Sequence, residues 1–311
     1  MDEPPEGVAE AINKAAAELR RLEHVPAAHA DLYERVALAQ QRTRARLQPP
    51  LYPPPTPETA RQMLGHGFFL IDFERLRIEP ARLEALWLEL AAILAEFGEL
   101  SEARAERLRA LAAAGRLPLA ELAAAVFKGD LEGLGRLARR VRLPARLLAW
   151  ISALALKPFL AAAAQELAGL LKGAAWPQAC CPVCGHEPLM AFTRREGAAR
   201  EAECSLCATR WEVRRGRCLF CGNEDKATYK FLAYDLEGPY RVDVCDKCHR
   251  YLKVADERKI PLGTQLPPVA LDIATLYLDQ LARRKGYLPP WSRMPGGKTK
   301  KERQTEEVVP A

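Results

Sequence analysis

The sequence predicts an α+β multidomain protein in which an all-α N-terminal domain is followed by two tandem four-cysteine modules and a C-terminal helix. Three observations support this fold class. Apolar residues recur at helical spacing from about residue 6 to residue 172, all nine cysteines lie between Cys180 and Cys248, and a helical pattern returns at residues 268–285. The predicted divisions are a helical domain, a first module, a second module, a C-terminal helix and a disordered tail, at residues 1–175, 176–217, 218–262, 263–290 and 291–311.

The helical domain is predicted from amphipathic segments. Between Pro80 and Leu100, the apolar side chains form one broad stripe, and most of the charged side chains lie off it. A proline near the start of a helix costs little, because the N–H that it lacks would have no partner there. The same pattern predicts further helices at residues 27–47, 101–114, 118–127 and 144–171.

A proline-rich stretch interrupts the helices at residues 47–60. Its prolines favour an extended path, and Thr56 is placed to cap a helix that begins at Pro57. We interpret the stretch as a stiff strap between helices. The alternative is a docking site for a proline-binding partner.

Charge and hydropathy bear on the class of protein. The formal net charge of +6 is mildly basic and does not require a nucleic-acid partner. The N-terminus lacks the basic and apolar regions of a secretory signal, so a cytoplasmic location is expected. The most apolar run, residues 147–171, contains Lys157, Pro158 and Glu166, and it is predicted to be a core helix pair with no membrane insertion.

The composition changes sharply after the helical domain. From residue 181 to residue 254 the alanine-rich pattern is replaced by short runs of residues that favour strands. Strands are predicted at residues 210–215, 228–234 and 241–244. These strands fall between and around the cysteines.

Eight of the nine cysteines form four Cys-x-x-Cys pairs. The first and second pairs are separated by 19 residues, the third and fourth by 23, and the second and third by ten. Two pairs at about 15 to 20 residues are typical of a four-thiolate metal site, so the first pair is grouped with the second and the third with the fourth; a crossed grouping stays open. The predicted metal ligands are Cys181, Cys184, Cys204, Cys207, Cys218, Cys221, Cys245 and Cys248.

A metal ion is expected in each module because about 30 to 40 residues are too few for a stable apolar core. A structural zinc ion supplies on the order of 10 kcal/mol to such folds. Zinc-ribbon and rubredoxin-type sites share this ligand set, so either zinc or iron is expected, as one mononuclear ion per site. Disulfides are disfavoured in a protein without an export signal. Gly185 and Gly222 follow a second cysteine and suit a positive φ.

The remaining chemical groups suggest no catalytic site. Cys180 is interpreted as a bystander, and His186 and His249 as surface residues or neighbours of the metal rather than ligands. The cationic side chains between the two sites are expected to offset thiolate charge; they are Arg210, Arg214, Arg215 and Arg217. No catalytic and no cofactor-binding residue is predicted.

Four segments together resemble one protein family: "CPVCGHEPLM", "ECSLCATRWEVRRGRCLFCG", "VDVCDKCHRYLK" and "ALDIATLYLDQLARRKGY". In order and spacing they are similar to the C-terminal half of the formate dehydrogenase accessory protein FdhE, from Cys181 to Tyr287. Trp211, the "YLK" at residues 251–253, and a helix with Asp272 and Asp279 also match.

The resemblance implies a helical domain followed by two rubredoxin-like modules that hold iron or zinc. It also implies a cytoplasmic, non-catalytic maturation factor, in the manner of a chaperone, that binds the catalytic subunit of formate dehydrogenase and is required for its activity. Electron transfer by rubredoxin-type iron is one alternative. A zinc-ribbon nucleic-acid binder is another, although 15 basic and 13 acidic residues between residues 181 and 259 disfavour it.

The helix with Asp272 and Asp279 has two interpretations. Either both aspartates recognise a partner, or they are solvated or Asp279 pairs with Arg283 four residues later. We prefer the second interpretation. Lys253 is expected to compensate a thiolate site.

Overall fold

The computed structural model describes residues 6–174, 176, 178–197 and 199–290. Its first part is entirely helical, as predicted. Short 3₁₀ turns occur at Phe73–Arg75, Ala168–Leu171 and Glu257–Lys259. The helices are α1 (Glu6–Arg21), α2 (Ala27–Ala45), α3 (Pro57–Gly65), α4 (Pro80–Glu96), α5 (Glu102–Ala113), α6 (Leu119–Lys128), α7 (Leu131–Val141), α8 (Ala145–Leu167), α9 (Pro268–Ala274) and α10 (Leu276–Arg284).

Local signals in the sequence set several helix ends. The Thr56 hydroxyl accepts a hydrogen bond from the Thr59 N–H at 3.2 Å, which confirms the predicted cap of α3. The Asp130 carboxylate accepts from the Gly133 N–H at 2.8 Å and caps α7, a helix that was not predicted. Its buried apolar residues, Leu134, Leu137, Ala138 and Val141, recur at helical spacing, so the sequence did carry a signal for this helix.

Helix α8 is the centre of the helical core. It is long and apolar enough to span a membrane by composition, but 56% of its most apolar window is buried inside the fold. The carboxylate of Glu166, near the end of α8, accepts hydrogen bonds from the backbone of residues 51 and 52. The Leu51 N–H donates to both of its oxygens, at 3.0 and 3.1 Å, and the Tyr52 N–H donates to one of them at 3.3 Å. Glu166 therefore binds backbone donors of the proline-rich stretch that no helix satisfies.

The second part of the chain is built on one six-stranded sheet. The strand order is β3-β2-β1-β6-β5-β4, and all neighbours are antiparallel except β1 and β6. Three of the strands were predicted, and three were not. The strands are β1 (Pro188–Thr193), β2 (Arg200–Cys204), β3 (Arg210–Glu212), β4 (Tyr229–Leu232), β5 (Tyr240–Cys245) and β6 (Tyr251–Asp256).

The parallel pair β1–β6 joins the two four-cysteine halves of the sheet. Phe192 pairs with Ala255, and both are fully buried. A second link is the ion pair of Arg200 and Asp243, whose side chains are each 5% exposed and lie 2.8 Å apart. The sheet thus runs across the boundary that was placed between residues 217 and 218, and that division stays a prediction.

Two short helices, rather than one, follow the sheet. Thr275 separates α9 from α10, and its hydroxyl donates to the Leu271 carbonyl at 2.8 Å. Leu271 packs with β1 residues, and Leu278 packs with β5 residues. The predicted disordered tail, residues 291–311, lies outside the described residues.

Candidate metal centres

The first centre gathers the first two cysteine pairs. Cys181 and Cys184 lie in the turn before β1, while Cys204 ends β2 and Cys207 lies in the turn before β3. The Sγ atoms of Cys181 and Cys207 are 3.5 Å apart, and those of Cys184 and Cys204 are 3.4 Å apart. The antiparallel β1–β2 hairpin brings the two turns face to face.

The second centre repeats this arrangement with the other two pairs. Cys218 and Cys221 lie before β4, while Cys245 ends β5 and Cys248 lies before β6. The Cys218 and Cys248 Sγ atoms are 3.7 Å apart, and the Cys221 and Cys245 Sγ atoms are 3.6 Å apart. The grouping of first with second and third with fourth is therefore the one that the fold makes.

The sulfur geometry fits a tetrahedral ion. All nine cysteines are free thiols, and within each centre every Sγ lies within 4.8 Å of the others. A metal–sulfur bond of about 2.3 Å gives a tetrahedron with sulfur–sulfur edges of about 3.8 Å, close to the distances observed. Each four-thiol set can therefore hold one metal ion.

All four Cys-x-x-Cys turns share one backbone conformation. The residue after the second cysteine has a positive φ in each turn: 73° at Gly185, 58° at Ala208, 73° at Gly222 and 52° at His249. The glycines were predicted. Ala208 and His249 were not, because a left-handed backbone is rare for such residues. His249 is therefore an exposed residue of the last Cys-x-x-Cys turn, and it lies outside the four-thiol cluster.

Four crowded sulfurs become thiolates more readily when a cation lies between them. Burial raises the pKa of Cys181 and of Cys184 well above that of an ordinary thiol. Backbone N–H groups of Val183 and Leu206 each lie 3.4 Å from a cysteine sulfur, Cys181 and Cys204 respectively, and donate to it. These donors favour thiolates, and a divalent ion removes the remaining penalty.

The helical domain holds the first centre from three directions. The Leu70 and Ile71 N–H groups donate to the carbonyls of Pro182 and Val183 at 3.0 and 2.9 Å. The Nε2 atom of His186 lies 3.1 Å from the Phe127 carbonyl oxygen. This histidine therefore contacts the helical domain and is not one of the clustered metal ligands.

The third contact is Lys157 of α8, whose ammonium donates to the Ser205 carbonyl at 3.4 Å. Burial lowers the pKa of Lys157, while the nearby Glu203 carboxylate and Cys204 sulfur oppose that shift. In the sequence, Lys157 is visible only as an interruption of an apolar run, and nothing nearby in the sequence marks it as the neighbour of a thiolate.

Three of the arginines between the centres, Arg210, Arg214 and Arg217, have carboxylate partners. Arg210 contacts Glu203 at 2.9 Å and Glu257 at 3.2 Å, and its guanidinium lies over the Phe192 ring. Arg214 pairs with Glu224 at 3.1 Å. These ion pairs were not expected from the sequence, where charge compensation of thiolates was the interpretation.

The interpretation of Asp279 and Lys253 is corrected. Lys253 is 3% exposed, and its Nζ lies 2.6 Å from carboxylate oxygens of both Asp272 and Asp279. Asp279 is itself buried and accepts from the Tyr251 hydroxyl at 2.7 Å. The preferred pairing with Arg283 is wrong, because that side chain reaches the Tyr251 hydroxyl instead. The cluster joins β6 to α9 and α10.

Cys180 lies outside both centres. It is buried, and its thiol donates to the Gln178 side chain at 3.4 Å. Nothing in its position contradicts the interpretation as a bystander.

The fold and its two four-thiol centres define a metal-binding protein of the tandem rubredoxin-like or zinc-ribbon class, attached to a helical domain. Residues 180–215 match the family model "FdhE, central domain", and residues 217–290 match "FdhE, C-terminal domain". Over these residues the chain is similar to the FdhE family.

Individual relatives agree. An FdhE homologue of Shewanella oneidensis is 37% identical over 112 residues, and one of Aquifex aeolicus is 36% identical over 117 residues. These alignments cover 35% and 36% of this chain and 36% and 40% of the relatives, so the matched region spans well under half of each relative. The FdhE crystal structure from Pseudomonas aeruginosa has the same fold, with a TM-score of 0.62, 23% identity, and coverage of 96% of this chain and 100% of that one.

Proposed function

We propose that this protein is a non-catalytic accessory factor required for formate dehydrogenase activity, and that it binds the catalytic subunit during maturation. The observation that carries the proposal is the pair of four-thiol centres within the two regions that match FdhE domains. The eight clustered cysteines are the ligands, and each centre holds one iron or zinc ion. In this proposal the protein acts in the cytoplasm and turns over no substrate.

The metal supports binding by fixing a surface. Each centre ties the end of one strand to the turns before two others, so a rigid edge of the sheet depends on four sulfur–metal bonds. A partner then meets a preformed surface and loses less entropy on binding.

The test is a gene deletion in a native host that makes formate dehydrogenase. We expect enzyme activity to fall to background, to return with the wild-type gene, and to stay absent with a Cys218→Ser, Cys221→Ser double variant. Cys180→Ser is the matched control, because Cys180 lies outside both centres, and it restores activity. Affinity purification of the protein recovers the catalytic subunit. Full activity in the deletion strain rejects the proposal.

Electron transfer is the second candidate, favoured by one observation: Cys221 of the second centre is exposed. The four cysteines of this centre would hold an iron ion close to solvent, where it could exchange an electron. Protein purified from its host is red in this case, and its visible absorption bleaches reversibly with a reductant. Colourless protein with stoichiometric zinc removes this candidate.

A further inference from the structure

The two centres share a local fold but differ in exposure. In the first, Cys181, Cys184 and Cys204 are 0% exposed and Cys207 is 2% exposed. In the second, only Cys218 and Cys245 are buried, while Cys248 is half-buried and Cys221 is exposed. The same ligand set therefore occupies two different environments.

The cover of the first centre is the helical domain. Its four cysteines belong to the same apolar cluster as the core of α4 and α8, together with Trp211. The hydrogen bonds from Leu70 and Ile71 close over the first turn, and Lys157 closes over the second. A cleft between α8 and β3 reaches Cys207, but the other three cysteines are 0% exposed, so a molecule from solution meets almost none of this centre while the helices stay packed on the sheet.

The second centre has a thinner cover. Its buried sulfur at Cys245 accepts from the Asn223 side chain at 3.5 Å, and its last turn is held by the Leu288 N–H, which donates to the His249 carbonyl at 2.7 Å. Cys221 and Cys248 are the two sulfur-bearing residues of this centre that solvent reaches.

We propose that the second centre is an exchange site for a divalent transition-metal ion, while the first centre keeps the ion that it acquires on folding. Exchange begins at Cys221: a donor atom of an incoming chelator or thiolate binds the ion, the bond between the ion and the Cys221 sulfur breaks, and the freed thiolate takes a proton from water. Cys248 leaves next. The inference rests on the metal-binding part of the proposed function and is independent of the partner.

The asymmetry gives a chemical consequence. Iron-loaded protein kept with excess zinc and a chelator becomes a hybrid, with zinc in the second centre and iron in the first. The metal found in the second centre therefore follows the metal supply, whereas the first centre records the ion present during synthesis.

The experiment follows metal release from full-length protein loaded with zinc. A chromogenic chelator is added in excess, and iodoacetamide labelling is read by mass spectrometry at each cysteine during release. We expect two phases of one ion each, with rates at least about ten-fold apart. Label appears first on Cys221 and Cys248 and last on Cys181 and Cys184.

Two variants make the assignment specific. In the Cys221→Ser variant, only the ion of the first centre stays tightly bound, so release shows the slow phase alone. The Cys180→Ser control, whose substitution lies outside both centres, keeps both phases. Release of both ions in one phase, or earlier labelling of the first centre, overturns the inference. If the protein binds fewer than two ions, both this inference and the proposed pair of metal sites are wrong. If release has two phases but gene deletion leaves formate dehydrogenase activity unchanged, only the proposed accessory role is wrong.

Discussion

The ammonium group of Lys253 lies between the carboxylates of Asp272 and Asp279, away from solvent. Such a group is tolerated only while its partners remain, because an uncompensated charge in the interior is costly. The same argument holds for Asp279, whose side chain is 9% exposed, so loss of the lysine leaves this acid with a hydroxyl donor, that of Tyr251, in place of a cation.

We expect Lys253→Met to reduce the free energy of unfolding by about 3 to 5 kcal/mol. The matched control is Lys128→Met, because Lys128 pairs with Glu74 at a surface where the two side chains are 55% and 68% exposed. The control costs less than about 1 kcal/mol. Urea unfolding of the metal-loaded proteins measures both, and equal losses would contradict the buried role of Lys253.

Lys157 offers a second test, at the first metal centre. A four-thiolate site with a divalent ion carries a net negative charge, and Lys157 is the cation that α8 brings to its second turn. We expect Lys157→Met to weaken the first centre about 10- to 100-fold, as loss of an outer partner of metal ligands does. Competition with a chelator at equilibrium measures the affinity, and Lys172→Met, on an exposed side chain, is the control.

At the scale of helices, two glycines have opposite roles. Gly115 follows α5 with φ of 62°, whereas Gly135 lies inside α7 without a positive φ, and a Cβ there would lie 3.8 Å from the Arg139 guanidinium, an ordinary contact distance. Gly115→Ala is expected to destabilise the protein by about 1 to 2 kcal/mol, because a Cβ disfavours that backbone. Gly135→Ala is expected to stabilise it by about 1 kcal/mol. The unfolding temperatures of the two metal-loaded variants test this prediction. If both temperatures shift in the same direction, the argument is wrong.

The strands show where a pattern in the sequence is informative. Residues around β3, β4 and β5 were predicted because each combines aromatic or β-branched residues with charged ones. Strand β6 was missed because all six of its residues are buried, Lys253 and Asp256 among them, so its polar residues do not mark an exposed face. Strand β1 is similar, with five of six residues buried.

The metal centres were predictable, and their surroundings were not. Cysteine spacing is a local signal, so the grouping of all eight thiols followed from it. The contacts of Lys157 with Ser205 and of Lys253 with Asp279 join positions 48 and 26 residues apart. Nothing in a single sequence relates such positions, because their partners are selected by the packing of whole elements.

Across the whole molecule, the first centre connects the helical domain to the sheet. The Leu70 and Ile71 amides donate to the turn that carries Cys181 and Cys184. Their hydrogen bonds persist only while that turn keeps its shape, so protection of these amides reports the state of the first centre.

We expect Cys184→Ser to lower the hydrogen-exchange protection of the Leu70 and Ile71 amides by about ten-fold or more, and Cys221→Ser to leave it unchanged. Exchange measured by mass spectrometry on the segment of residues 68–72 gives the comparison. Loss of protection in both variants, or in neither, would show that the first centre does not support the helical domain.

The parallel contact of β1 with β6 has one more consequence. Strands β1 and β6 are the first strand of one half and the third strand of the other, so the two halves are related head to tail rather than by a two-fold axis. A head-to-tail contact does not close on itself. The outer strands β3 and β4 are again a third and a first strand, so a further copy of the same unit would add to either end through the same kind of contact, and the fold sets no fixed number of repeats.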